Sequence, residues 1–204
     1  MRQTRTITIY SLVTIFCMVL SASCFKSLTT TTVVYENNFE DRNLRNITVA
    51  PGLISYFNGS LVMGKLSNQA FDLTVHGLPY HQVLRVEMDL YIHNNWNNEL
   101  WRLTLDGQHY LITGFSNNPS GTQSYPNWLN GAMVPAGSNA QRTSLPGICT
   151  QSNSPRGSSM YHIIQTISHT ANDFSLGCGD AGNSGDSCLR SWSIDNLKVS
   201  VFNN

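Results

Sequence analysis

HGLPYHQVLRVEMDLYIH, residues 76–93, is the stretch that decides the fold. From Leu84 onward, apolar residues occupy every second position: Leu84, Val86, Met88, Leu90 and Ile92. The other face carries Val83, Arg85, Glu87, Asp89 and Tyr91. Successive side chains of a strand point to opposite faces, so this alternation predicts a strand with one buried face and one solvent-exposed face. In a helix the same apolar side chains would spread round the axis. The run therefore predicts a long strand of a sandwich or barrel.

The N-terminus has the three parts of a secretory signal peptide. Arg2 and Arg5 precede an apolar core from Ile7 to Leu20, and small residues follow at 21–23. That core is short for a membrane span, which needs about 20 residues. We predict a signal peptide over 1–23, a polar spacer over 24–32 and a β-sandwich domain over 33–204. The protein is then secreted or extracellular, and a retained signal anchor is the alternative.

Cys24 follows the predicted cleavage point and allows two interpretations. In one, it is lipidated, which would tether the protein to a membrane surface, although Ser21 is not the residue a lipidation motif prefers. In the other, it is simply the first residue of the mature chain. The sequence predicts membrane contact only through such a lipid or through a retained signal anchor.

Cysteine spacing predicts a disulfide in the mature chain. Cys178 and Cys188 flank a flexible loop, GDAGNSGDS, and an exported chain meets an oxidising environment. Closing a loop of about ten residues would stabilise the fold by roughly 2–3 kcal/mol. We predict a Cys178–Cys188 bond and leave Cys149 unassigned, because four cysteines allow three connectivities.

Composition excludes one class of partner. Only 12% of the residues are charged and the formal net charge is zero. Nucleic-acid binding needs clustered Lys or Arg to neutralise phosphates, so no such partner is expected. Asn46-Ile47-Thr48 and Asn58-Gly59-Ser60 are glycosylation sequons if the source is eukaryotic, which would make the protein a glycoprotein.

Short strands are predicted along the rest of the chain. Asp106-Gly107 is a strong type I′ hairpin signal between two of them. The segment from Asn117 to Ser159, rich in Ser, Asn, Gly and Pro, is expected to be irregular and either functional or mobile. No segment has a sustained helical period. The predicted fold class is all-β, an antiparallel two-sheet jelly-roll sandwich.

Four segments together resemble secreted and cell-surface jelly-roll sandwiches of the concanavalin-like lectin and MAM-like type. They are residues 38–41, the block from Gly77 to Trp96, residues 161–170 and residues 191–199. The resemblance implies a recognition or adhesion module whose partner is a glycan or a surface protein. Relatives have an acidic segment after the long strand, whereas this chain has His93-Asn94-Asn95-Trp96-Asn97-Asn98.

The same resemblance implies a structural calcium site. In similar sandwiches a carboxylate after the first strand meets an aspartate of the last strand around one ion. Here those residues would be Glu40, with Asp41 beside it, and Asp195. Calcium takes six to eight oxygen ligands. The alternative is that Asp195 only makes a turn and Glu40 faces solvent.

A ligand site is predicted where aromatic residues and asparagines fall in or near loops. The predicted residues are Trp96, Asn95, Asn97, Trp128 and Tyr125. Sugar faces stack on aromatic rings, and carboxamides bind sugar hydroxyls. The alternative is that these aromatics fill the core or close its ends.

Enzyme signatures such as GxSxG and HExxH do not occur, so catalysis is not the favoured function. The enzymatic alternative is a glycan-cleaving hydrolase using Glu87 and Asp89, which lie about 7 Å apart on one strand face. A structural surface protein without a ligand is the other alternative. His81 and His169 are expected to pin loops.

Overall fold

The structure is a computed structural model and describes residues 30–49, 54–181 and 185–203. The signal peptide predicted over 1–23 and the lipidation predicted at Cys24 lie outside these residues. The first described strand begins at Thr30, so the last three residues of the predicted spacer belong to the sheet. Within the described residues, no helix is long and apolar enough to cross a membrane.

The larger sheet has seven strands. Along its main path the order is β11-β12-β6-β14-β4-β3, and β1 also pairs with β14. In chain order these strands are β1 (Thr30–Asn37), β3 (Ile54–Phe57), β4 (Ser60–Leu66), β6 (Val83–Asn94), β11 (Arg142–Leu145), β12 (Ser158–Ser168) and β14 (Arg190–Asn203).

The smaller sheet has five strands in the order β2-β5-β13-β7-β8. They are β2 (Ile47–Val49), β5 (Ala70–Val75), β7 (Asn97–Leu105), β8 (Gln108–Ser116) and β13 (Phe174–Asp180). A small pair, β9 (Thr122–Gln123) and β10 (Val134–Pro135), and a 3₁₀ turn, Cys149–Gln151, lie in the segment predicted to be irregular. Each adjacent pair with an assigned register is antiparallel.

One hydrophobic core joins the two sheets, which confirms the predicted antiparallel sandwich. The alternating residues Leu84 to Ile92 of β6 are at most 1% exposed, as the period of two predicts. Fully buried aromatics fill the space between the sheets: Phe71, Trp96, Trp101, Phe115, Tyr161 and Trp192. The Asp106-Gly107 turn joins β7 to β8, and both residues have the positive φ of a type I′ turn.

The outer face of β6 departs from the prediction at one end. Tyr91, expected to face solvent, is only 8% exposed. A second, smaller apolar cluster covers it, made of Phe57, Val62, Leu145, Ile148 and Met160. The chain between β10 and β12, which includes β11, folds over this face, so the outer face of β6 is buried where this part of the chain covers it.

The disulfide joins Cys149 to Cys188, with Cα atoms 5.5 Å apart, so the predicted Cys178–Cys188 bond is wrong. Cys178 lies in β13, where alternate residues face the core, and it is a buried free thiol. Burial raises the pKa of this thiol and keeps it in the neutral form. Sequence distance favoured Cys178 as the partner, but strand direction turns its side chain away from the loop.

At the opposite end of β6, His81 and His169 do pin two loops together, as expected. His81 Nε2 lies 2.6 Å from His169 Nδ1, and His81 Nδ1 lies 2.6 Å from the Pro79 carbonyl oxygen. A carbonyl only accepts, so His81 Nδ1 carries the proton. Both rings are buried, which fits a structural role.

Candidate functional site

Several strand ends meet at one end of the sandwich and enclose a cleft. Two adjoining cavities there have volumes of about 390 and 130 Å³ and share Asn117, Pro119 and Arg156. We call the two cavities together the end cleft. Its other lining residues are Asn94, Asn95, Trp96, Asn97, Asn118 and Gln151 in the larger cavity, and Ser116, Ala136, Gly137, Thr143 and Ser159 in the smaller.

Asn94, the last residue of β6, ties three chain segments together beneath the end cleft. Its Oδ1 accepts a hydrogen bond from the Ile148 backbone N–H at 2.9 Å, and its Nδ2 donates to the Cys188 carbonyl at 2.7 Å. Its own backbone N–H donates to the Gly157 carbonyl at 2.6 Å. Asn94 has a φ of 62°, a left-handed conformation that Asn adopts more readily than most residues. Its side chain and backbone therefore both suit this corner.

Asn117 continues the same network from the end of the smaller sheet. Its Nδ2 donates to the Ile92 carbonyl at 2.8 Å and to the Asn94 carbonyl at 3.1 Å. The two carboxamides thus satisfy backbone groups of β6 and of the neighbouring loops where regular strand pairing ends. The walls of the end cleft are held in place before any ligand arrives.

Trp96 forms the floor of the end cleft rather than an exposed platform. It is fully buried, and its Nε1 donates to the Ser191 carbonyl at 2.9 Å. The Arg190 guanidinium lies 5.6 Å from the ring centroid and pairs with Glu99 at 3.0 Å. Glu99 in turn accepts a hydrogen bond from the Asn97 backbone N–H. The cation–π contact and the ion pair fix the turn that carries the exposed asparagines.

Exposed polar groups line the mouth of the end cleft. Asn95, Asn97, Asn118 and Arg156 all face solvent. Asn95 Oδ1 accepts a hydrogen bond from Gln151 Nε2 at 3.2 Å. Arg156 makes no ion pair or hydrogen bond with any described residue, and no carboxylate is among the lining residues. The mouth therefore offers carboxamide donors and acceptors and one uncompensated positive charge.

The predicted ligand residues do not form one group. Asn95 and Asn97 lie in the end cleft together, whereas Trp96 is buried, which corrects its prediction as a stacking surface. Tyr125 is half-buried and packs on Phe115, with ring centroids 4.8 Å apart, so it belongs to the core margin. Trp128 is 49% exposed but lies elsewhere, because its neighbour Leu129 hydrogen-bonds to Ile112 in the middle of β8.

Sequence reasoning missed most of the polar lining. Asn94, Asn117, Asn118, Gln151 and Arg156 were not predicted. The density of asparagines in 93–98 was the available signal for the first. Arg156 lies in the long irregular segment, and only the fold shows that this segment returns to the β6–β7 turn.

The predicted calcium residues are partly brought together. Ser60 Oγ lies 2.7 Å from Glu40 Oε1 and 2.9 Å from Asp195 Oδ2. Asp41, also predicted for this site, pairs instead with Arg45 at 2.8 Å. Two carboxylates on one hydroxyl suit a cation, but the described residues hold no group of three or more His, Cys, Asp or Glu side chains that fits a metal. Calcium at Glu40 and Asp195 stays a prediction.

Protonation competes with a cation at this carboxylate pair. A hydroxyl has one proton, so Ser60 satisfies only one of the two carboxylates at a time. Burial raises the pKa of Asp195, and the charges of Asp89 and Glu40 raise it further against the hydrogen bonds from Asn196 and Ser60. The folded state therefore binds this proton more tightly than the unfolded chain does. That stabilisation is present at low pH and is lost as the pH rises through the raised pKa.

Replacing Asp195 by Asn should raise the melting temperature at neutral pH without calcium, because the ionised carboxylate costs stability there. Millimolar calcium should raise the melting temperature of the natural protein but not of Asp195→Asn, since an ion that binds only the folded state stabilises it. Differential scanning calorimetry with and without chelator measures both effects. Asp41→Asn is the matched control and should keep the calcium response. If calcium does not change the melting temperature of the natural protein, the calcium prediction is contradicted. Protonation of the carboxylate pair is then the remaining explanation.

Glu87 and Asp89, the carboxylates of the hydrolase alternative, each have partners. Lys198 Nζ lies 3.2 Å from Glu87 Oε2. Asp89 accepts hydrogen bonds at 2.8 Å from His162 Nδ1 and from Asn196 Nδ2. A glycosidase needs one carboxyl as acid and a second as base or nucleophile across a cleft. These two are engaged with side chains of the sheet face and are not a free pair.

No protein-family model matches this chain, and no curated protein matches it. Several solved structures are similar in fold. Dimeric latent PorU from Porphyromonas gingivalis aligns with 86% of this chain at 9% identity and a TM-score of 0.46, but this chain spans only 13% of PorU. A family 35 carbohydrate-binding module from an environmental isolate aligns with 81% of this chain at 8% identity and a TM-score of 0.42, over 91% of its own length. CBM35 from Paenibacillus barcinonensis aligns with 83% of this chain and 97% of its own, at 11% identity and a TM-score of 0.38. At such low identities these likenesses say nothing about a ligand of this chain.

Proposed function

We propose that this protein is a glycan-recognition module and that the glycan binds in the end cleft. The observation that carries the proposal is the composition of the cleft mouth: exposed carboxamides at Asn95, Asn97 and Asn118 beside the unpaired guanidinium of Arg156. A carboxamide both donates and accepts, which matches a sugar hydroxyl. A surface protein as partner, or no ligand at all, is an outcome of the test below.

Arg156 favours a glycan that carries carboxylates over a neutral one. A guanidinium binds a carboxylate through two parallel hydrogen bonds, and none of the described lining residues carries a carboxylate that would compete for it. The larger cavity, about 390 Å³, lies in the ordinary size range of small-ligand sites. Its walls are held by the Asn94 and Asn117 networks, so binding would cost little ordering of the loops.

The proposal includes a location outside the cytoplasm. The Cys149–Cys188 bond lies at the surface, where Cys149 is exposed. Disulfides of this kind persist in oxidising compartments. The predicted signal peptide would deliver the chain there.

Binding of neutral and uronate-containing oligosaccharides on a glycan array, followed by calorimetry, tests the function. We expect uronate-containing chains to bind better, and Arg156→Ala to weaken them by about tenfold because a charge-assisted contact is lost. Asn95→Ala and Asn97→Ala should each weaken binding about fivefold.

Asn130→Ala is the control, since Asn130 is exposed and does not line the end cleft. An array without any bound glycan would contradict the proposal and leave a surface protein or no ligand. Turnover of a polysaccharide that disappears in Glu87→Gln would instead establish the hydrolase alternative.

A further inference from the structure

A further cavity, separate from the end cleft, lies on the outer face of the five-stranded sheet. Its volume is about 170 Å³, and its lining residues are Leu100, Trp101, Arg102, His109, Ile112, Gly179 and Ala181. Arg102 pairs in register with both Ile112 and Gly179, so these three residues lie side by side on one face. Trp101 and Leu103, on either side of Arg102, are fully buried, which places Arg102 on the face away from the core.

The floor of this cavity is backbone. Gly179 lies on the central strand of the sheet, and a Cβ there would lie 2.9 Å from the Cβ of Ala70. A larger residue would therefore both crowd Ala70 and fill the cavity. Leu100 and Ile112 supply apolar walls, while Arg102 and His109 supply polar ones.

Arg102 and His109 are unengaged. Both are exposed, and neither makes an ion pair or hydrogen bond with a described residue. None of the described residues that line the cavity carries a carboxylate. The cavity thus combines apolar walls with an uncompensated guanidinium.

The segment that carries the exposed Trp128 runs along the edge of β8, the strand that contributes His109 and Ile112 to this cavity. The Leu129 backbone N–H donates to the Ile112 carbonyl at 2.8 Å, which holds the segment carrying Trp128 against the edge of β8. Trp128 is 49% exposed, and Leu129 and Met133 in the same segment are 41% and 47% exposed. Exposed apolar side chains grouped in one short segment are typical of binding surfaces.

We propose that this face is a second, separate sugar-binding site, the sheet-face site, formed by Trp128 with Leu100, Arg102, His109 and Ile112. It rests on the proposed function, because its ligand is the same class of glycan, a pyranose chain carrying carboxylates. The C–H face of a pyranose packs on the indole and aliphatic groups, and Arg102 binds the carboxylate. A cavity of about 170 Å³ is small for a whole ligand, so it holds one sugar ring of a longer chain.

The sheet-face site is distinct from the end cleft. Among the described residues, the two sites have no lining residue in common. Ile112 and Ser116 lie four residues apart on β8, about 13 Å along a strand. A long glycan that engages both sites gains effective concentration at the second, so a polymer should bind more tightly than a short oligosaccharide.

Acrylamide quenching of tryptophan fluorescence tests this site directly. Of the four tryptophans, Trp96, Trp101 and Trp192 are fully buried, so quenching by acrylamide reports on Trp128. An oligogalacturonate is the acidic probe and a cello-oligosaccharide the neutral one. The acidic probe should protect Trp128 from quenching, and Trp128→Phe should remove the quenchable emission.

Two variants separate the sites. Arg102→Ala, a change at an exposed position, should require about tenfold more oligogalacturonate to protect Trp128 while the end cleft still binds by calorimetry. Arg156→Ala should weaken the end cleft and leave the protection of Trp128 intact.

Binding by calorimetry without protection of Trp128 would overturn the sheet-face site and leave the proposed function standing. Protection that disappears in Arg156→Ala would overturn the separation of the two sites. Failure of both measurements with the acidic probe would count against both proposals.

Discussion

Acid should destabilise this protein through His93, beginning as the pH falls below about 6.5. His93 is fully buried, with Nδ1 2.9 Å from Ser158 Oγ and Nε2 2.9 Å from Ser193 Oγ. Burial lowers the pKa of His93 to about 3, and the charge of Lys65 adds to the effect. The unfolded chain, with an ordinary histidine pKa, takes up the proton first. Stability is therefore complete above the unfolded pKa and is lost as the pH falls toward the folded one.

The gap between the two pKa values corresponds to a loss of up to about 5 kcal/mol across this window. Urea unfolding of the natural protein and of His93→Gln, at several pH values from about 7 to about 4, measures the first part of this loss, about 3 kcal/mol. Gln can donate to one serine and accept from the other but does not titrate. The variant should be less stable at neutral pH, because the imidazole packs 4.6 Å from the Phe57 ring, yet its stability should change less with pH.

The other histidines are present in both proteins, so the difference between the two pH profiles isolates His93. Among them, His162 pairs with Asp89, and His169 lies 3.1 Å from Asp106. If the stabilities of the two proteins fell in parallel with pH, His93 would bind its proton equally well in the folded and unfolded states. That outcome would contradict the prediction.

The sequence predicted the parts of this fold that follow from local periodicity. The alternation in β6 and the Asp106-Gly107 turn both appear in the structure, since each depends on neighbouring residues alone. The outer-face cluster around Tyr91 was not predictable in this way. Two residues that cover it, Leu145 at the end of β11 and Ile148 after it, are more than fifty residues away in sequence.

The local sequence also did not show which single residues of the candidate site face a ligand. In the run His93 to Asn98, the sequence could not tell a structural asparagine from a ligand-facing one. Asn94 is 2% exposed, whereas Asn95 and Asn97 are exposed. Trp96 lies between them but is buried, because the turn places its indole against β14 rather than in solvent.

The prediction of the disulfide partners was wrong for a related reason. Loop length favoured a bond between Cys178 and Cys188, but Cys178 belongs to a strand whose inward positions face the core. The true partner, Cys149, is 39 residues from Cys188 in sequence. It becomes a neighbour only because the irregular segment returns to the end cleft. Long-range return of the chain determines both the disulfide and the cleft.

Replacing Asn94 by Ala should destabilise the protein by roughly 3 kcal/mol, through several groups at one corner. The Ile148 N–H and the Cys188 carbonyl would lose their side-chain partner in a buried place. The left-handed φ of 62° adds a cost of about 1 kcal/mol for a residue with a Cβ and no local hydrogen bond. Because the same bonds hold the walls of the end cleft, glycan affinity should fall as well.

Two companion variants separate these contributions. Asn94→Gly accepts the left-handed φ but still lacks the hydrogen bonds, so it should be about 1 kcal/mol more stable than Asn94→Ala. Asn95→Ala is the matched neighbour. Its side chain is exposed, so its stability should stay within about 0.5 kcal/mol of the natural protein while its glycan affinity falls.

Urea unfolding gives the stabilities, and calorimetry with the oligosaccharide selected on the array gives the affinities. Equal and small losses of stability in Asn94→Ala and Asn95→Ala would contradict the structural role of Asn94. Removing a buried carboxamide that joins three segments should cost more stability than removing an exposed one. A large loss in Asn94→Ala alone would show that the walls of the end cleft depend on this residue. The two adjacent asparagines would then have different roles: Asn94 would stabilise the walls of the end cleft, and Asn95 would bind the ligand.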